Sequence, residues 1–237
     1  VIFSNNSTAW GSYFYDPSED ALRVDVEIKE CVFTEFLTFE FGEVSPESAT
    51  LSLKWAEKEI PVTFTFAVSE LVMTSIRQQL QSQPGFSNQS WIQAANFALN
   101  NNGDLEEALQ WIDNSIEGQF YSQKNVNNLM IKSRILDKMG KKDASWKYMD
   151  EATEYANKGQ LNSIAGQIIG EDKDRGLKYY RLNIKNNPDD PSMLVNLATA
   201  YKKLGDKKNA KKTLKKALKM KPNDALKSKI EKLLKEL

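Results

Sequence analysis

The side chains in this sequence that could do chemistry are few, and their arrangement points away from catalysis. The chain of 237 residues contains no histidine, so the commonest general acid/base and the commonest metal ligand are both missing. Its one cysteine is Cys31, and no disulfide can form within the chain. In a strand-like run a lone thiol is expected to be a small core residue. Carboxylates gather at Glu19-Asp20, at Glu57 and Glu59, and at Glu171, Asp172 and Asp174. The first two groups fall in expected turns and read as solvated charges. The third resembles the start of a calcium loop, but such a loop needs Gly at its sixth position and Glu at its twelfth. The sixth residue from Asp172 is Leu177. There is no Gly-rich phosphate loop, no Cys pair and no Ser set between the glycines of a nucleophile elbow. The expectation is a protein that is not an enzyme, with no catalytic residues, no bound metal and no cofactor.

Basic residues raise a second kind of chemistry. Lysines occur in pairs at 202/203, 207/208, 211/212 and 215/216. Arginines and aromatics do not interleave with them as base-stacking platforms would require, so no nucleic-acid partner is expected. Basic and acidic residues balance at 32 each, yet they are unevenly spread. Residues 1–70 hold 13 acidic and 4 basic side chains, a net of −9, whereas 191–237 hold 14 Lys and 4 acidic side chains, a net of +10. Opposite fields at the two ends leave a head-to-tail contact between molecules open.

Two textures meet near residue 67. Before it, apolar residues alternate with period 2, and after it they recur with a helical period. Leu22, Val24, Val26 and Ile28 mark one strand over 21–30. Leu37, Phe39 and Phe41 mark a second over 35–42. Leu51, Leu53 and Trp55 mark a third, and Ile60, Val62, Phe64 and Phe66 a fourth, with a turn at 56–59 between these last two. Trp10 to Tyr15 reads as one more aromatic strand before the Asp16-Pro17-Ser18 turn. A sheet buried on one face needs a second layer, which 1–66 does not obviously supply. Cover from the repeats, from an upstream segment, or from a second copy in a homodimer through the exposed sheet are all open. No run approaches the ~18 apolar residues needed to cross a bilayer. The chain opens at Val1 within a strand-like run, so an upstream segment is expected, and whether it includes a signal peptide is left open.

The helical part is periodic on a larger scale. In residues 191–224, Leu194, Leu197, Ala198 and Tyr201 are spaced as the packing face of one helix, and Ala210, Leu214 and Ala217 as that of a second. Gly205-Asp206 lies between them and Pro222 closes the unit. Small residues suit a close helix crossing, Gly suits a left-handed helix end, and Pro cannot continue a helix. This segment resembles the tetratricopeptide repeat over its full length of about 34 residues. Earlier units echo it around Gly103-Asp104 with Ala108, around Gly140 with Ser145, and before Asn187-Pro188. The last of these is degenerate: Glu171 stands at the turn Gly and Gly176 at the small Ala. The expected fold is multidomain α+β. An N-terminal antiparallel sheet, a partial β-sandwich, occupies 1–66, and a linker helix and loop occupy 67–87. An all-α solenoid fills 88–237, with hairpins near 89–122, 126–157, 158–190 and 191–224 and a capping helix at 225–237.

The resemblance implies a function and a site. Repeats of this family bind a protein or peptide along the concave face made by their first helices. Carried over position by position, that face holds Gln93, Phe97 and Asn100 in the first unit and Met130, Arg134 and Asp137 in the second. It holds Asn162 and Ile169 in the third, and Val195, Thr199 and Lys202 in the last. Each unit thus offers one apolar residue, Phe97, Met130, Ile169 or Val195, which suits an extended or helical peptide. The Lys/Asn carboxylate clamp of chaperone-binding members is not reproduced.

The front end carries a resemblance of its own. Asn5 to Tyr15, Asp20 to Val24 and Ala49 to Trp55 look like the C-terminal half of an uncharacterised bacterial β-sandwich family. Its members are often secreted or periplasmic, some with tetratricopeptide repeats behind the sandwich. That implies a cell-envelope protein, and the lack of disulfides leaves the cytoplasm open as well. A second functional reading is a small-ligand or carbohydrate-binding module that uses the aromatic-rich sheet through Trp10, Tyr13, Tyr15 and Trp55.

Overall fold

The computed structural model describes residues 1–237, which form two compact units, Val1–Ser75 and Ile76–Leu237. The fold is multidomain α+β: antiparallel strands come first, and helical hairpins follow.

In the first unit β1 (Ile2–Ser4) pairs antiparallel with β2 (Asp20–Arg23), setting Ile2 opposite Arg23 and Phe3 opposite Leu22. β3 (Lys29–Val44) pairs antiparallel with β4 (Ser48–Thr65). β4 runs as one hydrogen-bonded strand, yet it doubles back. Thr50 and Thr63 share a hydroxyl hydrogen bond of 2.9 Å, and the Phe66 amide donates to the Glu47 carbonyl at 2.8 Å. Thirteen residues of straight strand would span about 43 Å, so the chain must reverse between them. The reversal falls at Ala56, whose φ of 54° lies in the left-handed region. The turn expected at 56–59 is therefore present, inside what hydrogen bonding registers as one strand.

Two strand expectations are not met as drawn. The strand expected over 21–30 is shorter: β2 ends at Arg23, Val24 still exchanges main-chain hydrogen bonds of 2.9 and 2.8 Å with Val1, and Asp25 to Ile28 join no ladder before β3 begins at Lys29. Trp10 to Tyr15 forms a turn, with Gly11 and Phe14 at positive φ. Its aromatics reflect a β preference that a neighbouring strand must realise, and here none does. Cys31 is half-buried on β3, not a core residue. Phe33, Phe36, Phe39 and Phe41 along β3 are exposed, so nothing within the unit covers them. Phe3 meets Phe64 edge-on at 5.7 Å, which ties the two small sheets together.

α1 (Val68–Leu80) carries the chain from the first unit into the second. Four hairpins follow. They are α2 (Asn88–Asn100) with α3 (Leu105–Ile116), α4 (Val126–Lys138) with α5 (Lys142–Tyr155), α6 (Lys158–Ile168) with α7 (Lys173–Asn186), and α8 (Pro191–Lys203) with α9 (Lys207–Lys219). A closing helix, α10 (Asp224–Lys235), packs on α9. Their starts are written in the sequence. Asp104, Asn125, Asn157, Asp172, Asp190, Asp206 and Asn223 each accept a backbone amide of the helix they precede, satisfying donors that would otherwise be orphaned. Gly205, at φ 75°, ends α8 as expected. Ala198 and Ala210 are buried where α8 and α9 cross, as are Ala98 and Ala108 between α2 and α3.

The stack is not uniform. α3 packs on α4 and α7 on α8, but the backbones of α5 and α6 do not approach in the same way. Side chains bridge this junction instead. Asp150 on α5 accepts from Arg175 at 2.5 Å, from Lys178 at 3.0 Å and from the Tyr179 hydroxyl at 2.9 Å, all on α7. Arg175 also lies over the Trp146 ring, 4.6 Å from its centroid.

Candidate functional site

The first helices of the hairpins, α2, α4, α6 and α8, carry the candidate groove. Each turns an apolar stripe to its partner, and α4, α6 and α8 are also capped by Asn125, Asn157 and Asp190, which leaves a second face for other work. On α2, Gln93 and Phe97 line a cleft of about 260 Å³ together with Ile76, Leu80 and Pro84. Phe97 is half-buried and Gln93 exposed. At the end of α2, Asn100 accepts a hydrogen bond of 3.1 Å from Arg134 on α4. The structure thus brings Gln93, Phe97, Asn100 and Arg134 onto one stretch of surface. Lys138, one turn further along α4, donates to the Leu99 carbonyl at 3.0 Å and holds the two helices in register.

Further along, Met130 is half-buried against the core formed around α6 and α7. Asp137 is paired with Lys142 at 2.7 Å, and Lys142 also bonds Glu171 at the turn of the third hairpin. Asn162 on α6 has a buried Oδ1 with no hydrogen-bond donor. On α8, Thr199 turns its hydroxyl back to the Val195 carbonyl at 2.9 Å, and Lys202 pairs with Glu236 at 2.5 Å.

Two expected groove residues lie in the core. Val195 is 1% exposed and packs with Leu214 and Ile230. Ile169 is 7% exposed and closes over Gly176. A Cβ at Gly176 would stand 2.6 Å from the Ile169 Cα, so α6 and α7 meet there more tightly than the usual Ala would allow. Template spacing tells which side of a helix a residue takes, but not how deeply the next element covers it. The apolar contribution of the face is therefore Phe97, with part of Met130.

The electrostatics near the face are those of structural pairs. Burial pushes the Asp150 carboxyl up, but Lys178, Tyr179 and Arg175 together hold it below the ordinary carboxylate range. Burial pushes the Tyr179 hydroxyl well up. Lys132, 7% exposed, sits 2.6 Å from Asp113 and over the Tyr148 ring. Burial alone would lower its pKa, yet Asp113 and Tyr148 raise it. Such a lysine stays charged and is not a base at neutral pH. No three Cys, Asp or Glu side chains gather closely enough to hold a metal ion. No helix is long and apolar enough to cross a membrane.

Sequence reasoning missed two features. The polar bridge around Asp150 joins residues with no shared period. Trp91, in the first turn of α2, and Tyr121 stack at 6.2 Å with planes 7° apart, beside the exposed Phe86 and Phe120; aromatic content around the start of α2 and in the loop after α3 was the only available clue. In the β unit, Trp10 and Tyr13 pair at 6.0 Å. With Asn6 and Glu19 they line a cleft of about 520 Å³, to which Tyr15 also contributes. Tyr15 bonds Asp20 at 2.8 Å. Trp55, on β4, does not line this cleft, so the four aromatics do not form one platform.

Residues 191–224 match the tetratricopeptide repeat family, and residues 1–64 match a family of proteins of unknown function, DUF2911. No curated protein matches the chain. Among solved structures, MamA is similar with 14% identity and a TM-score of 0.41, covering 66% of this chain and 91% of that one. MamA from Desulfovibrio magneticus RS-1, taken from residue 41 to its end, is similar with 11% identity and a TM-score of 0.40, covering 65% and 86%. YrrB, described as a tetratricopeptide-repeat protein with an unusual peptide-binding site, is similar with 15% identity and a TM-score of 0.39, covering 70% and 84%.

Proposed function

We propose that the chain is a non-enzymatic interaction scaffold that holds a protein or peptide partner on the face formed by α2, α4, α6 and α8. The observation that supports this most is an aromatic set at an open cleft: Phe97, half-buried, lines the cleft on α2 beside the exposed Gln93. An apolar anchor of that kind is what a bound peptide needs first. Gln93, Asn100, Met130, Arg134, Asp137, Asn162, Thr199 and Lys202 complete the proposed face. Ile169 and Val195 support it from beneath. Affinity capture from native lysate should recover a partner that Phe97→Asp and Met130→Asp lose. Both variants keeping every partner would remove the groove from consideration. A cell-envelope location goes with this reading through the N-terminal resemblance, and fractionation of the native cell tests it.

A second reading uses the β unit. The Trp10–Tyr13 pair beside Asn6 and Glu19 offers rings and polar groups suited to a sugar. A glycan thermal-shift screen that leaves the melting temperature unmoved would count against it.

A further inference from the structure

α9 has a composition unlike any other helix of the chain. Seven of its thirteen residues are Lys and none is acidic. Lys212, Lys215, Lys216 and Lys219 have no carboxylate within ion-pair distance, whereas Lys124, Lys132, Lys142, Lys158, Lys178 and Lys202 each have one. The four unpaired lysines rim a cleft of about 680 Å³ between α7, α8 and α9. Its floor is apolar, formed by Leu194, Leu197 and Tyr201. None of the candidate groove residues lines it, so it is a separate site.

An apolar floor beneath an uncompensated cationic rim suits an acidic segment that carries large apolar side chains. It suits a nucleic acid less well. The aliphatic floor has no use for phosphate, and the Tyr201 hydroxyl is already engaged by Arg181 at 3.2 Å. The chain itself presents a segment with the required chemistry. Residues 1–70 carry a net of −9, from 13 acidic and 4 basic side chains. Along β3, Glu35 and Glu43 have no cationic partner, and between them stand the exposed Phe36, Phe39 and Phe41.

We propose that the α7–α8–α9 cleft docks the β3 segment of a second copy of this chain, giving a head-to-tail assembly. The phenylalanines enter over Leu194 and Leu197, and the lysines meet Glu35 and Glu43. The contact is heterologous, since cleft and strand are different surfaces, so it builds chains or rings and not a two-fold dimer.

The test is sedimentation of the full-length protein over a concentration series, in about 0.1 M and about 1 M salt, where the screening length falls from ~10 to ~3 Å. Association is expected in the first and its loss in the second. K212E/K215E/K216E/K219E and E35K/E43K, each confirmed as folded by circular dichroism, should each weaken self-association about tenfold or more. Mixing the two variants should restore it, because each then meets a complementary surface. A protein that is monomeric throughout overturns the proposal. So does association that survives both charge reversals, and so does a monomer whose four lysines instead bind a single-stranded oligonucleotide.

Discussion

Replacing Asp150 with Ala should cost far more than its position on a helix surface suggests. Its carboxylate accepts from Arg175, Lys178 and the Tyr179 hydroxyl. Lys178 is 62% exposed and loses little by turning to solvent. Tyr179 is fully buried, and its hydroxyl would be left without an acceptor, which costs about 1–3 kcal/mol. Arg175 would keep Asp172, at 3.5 Å, and its place over the Trp146 ring. Because Asp150 is itself 37% exposed, the ion-pair part must be discounted for solvent. The sum is about 2–3 kcal/mol. Urea denaturation followed by circular dichroism measures it. The same junction lacks close backbone contact between α5 and α6, and nearest-neighbour interfaces couple the units of a repeat array. Asp150→Ala should therefore also broaden or split the transition. Tyr179→Phe in the Asp150→Ala background should cost little more, since it removes the orphaned group. A loss below about 0.5 kcal/mol, or a double variant as costly as both singles added together, would refute the reasoning.

Three further outcomes follow from particular residues. Gly176→Ala restores the usual repeat residue, yet it should destabilise the array by about 1–2 kcal/mol, because overpacking against Ile169 outweighs the gain in helix propensity; a raised melting temperature would contradict the close approach. Ala56→Gly should stabilise the β unit by about 1 kcal/mol by relieving a left-handed φ of 54°, and thermal denaturation checks the sign. Asp150 has a depressed folded pKa, so its contribution is present above the unfolded value of about 3.9 and fades as pH falls through the folded one. Asp150→Asn should consequently flatten the acid limb of the stability profile below about pH 4 and leave its neutral region parallel to wild type.

The last hairpin was legible because each of its marks answers a local constraint. Gly205 adopts the left-handed turn, Ala198 and Ala210 sit at the crossing, and Asp206 caps α9. The reversal at 56–59 was legible for a similar reason, since polar residues there interrupt two alternating runs. Trp10 to Tyr15 misled because aromatic β preference is realised only beside another strand. Val195 and Ile169 misled because spacing fixes a helix face and not its cover. The bridge through Asp150 was not legible at all. Its partners lie 25, 28 and 29 residues away, on another hairpin, and only packing brings them together.

The claim that the repeat array holds the partner is tested most directly by hydrogen–deuterium exchange on the full chain, with and without a captured partner. Protection should appear on α2, α4, α6 and α8 around Phe97 and Asn162, with the Trp10–Tyr15 loop unchanged. Protection confined to that loop, with the four helices exchanging as before, would contradict the account.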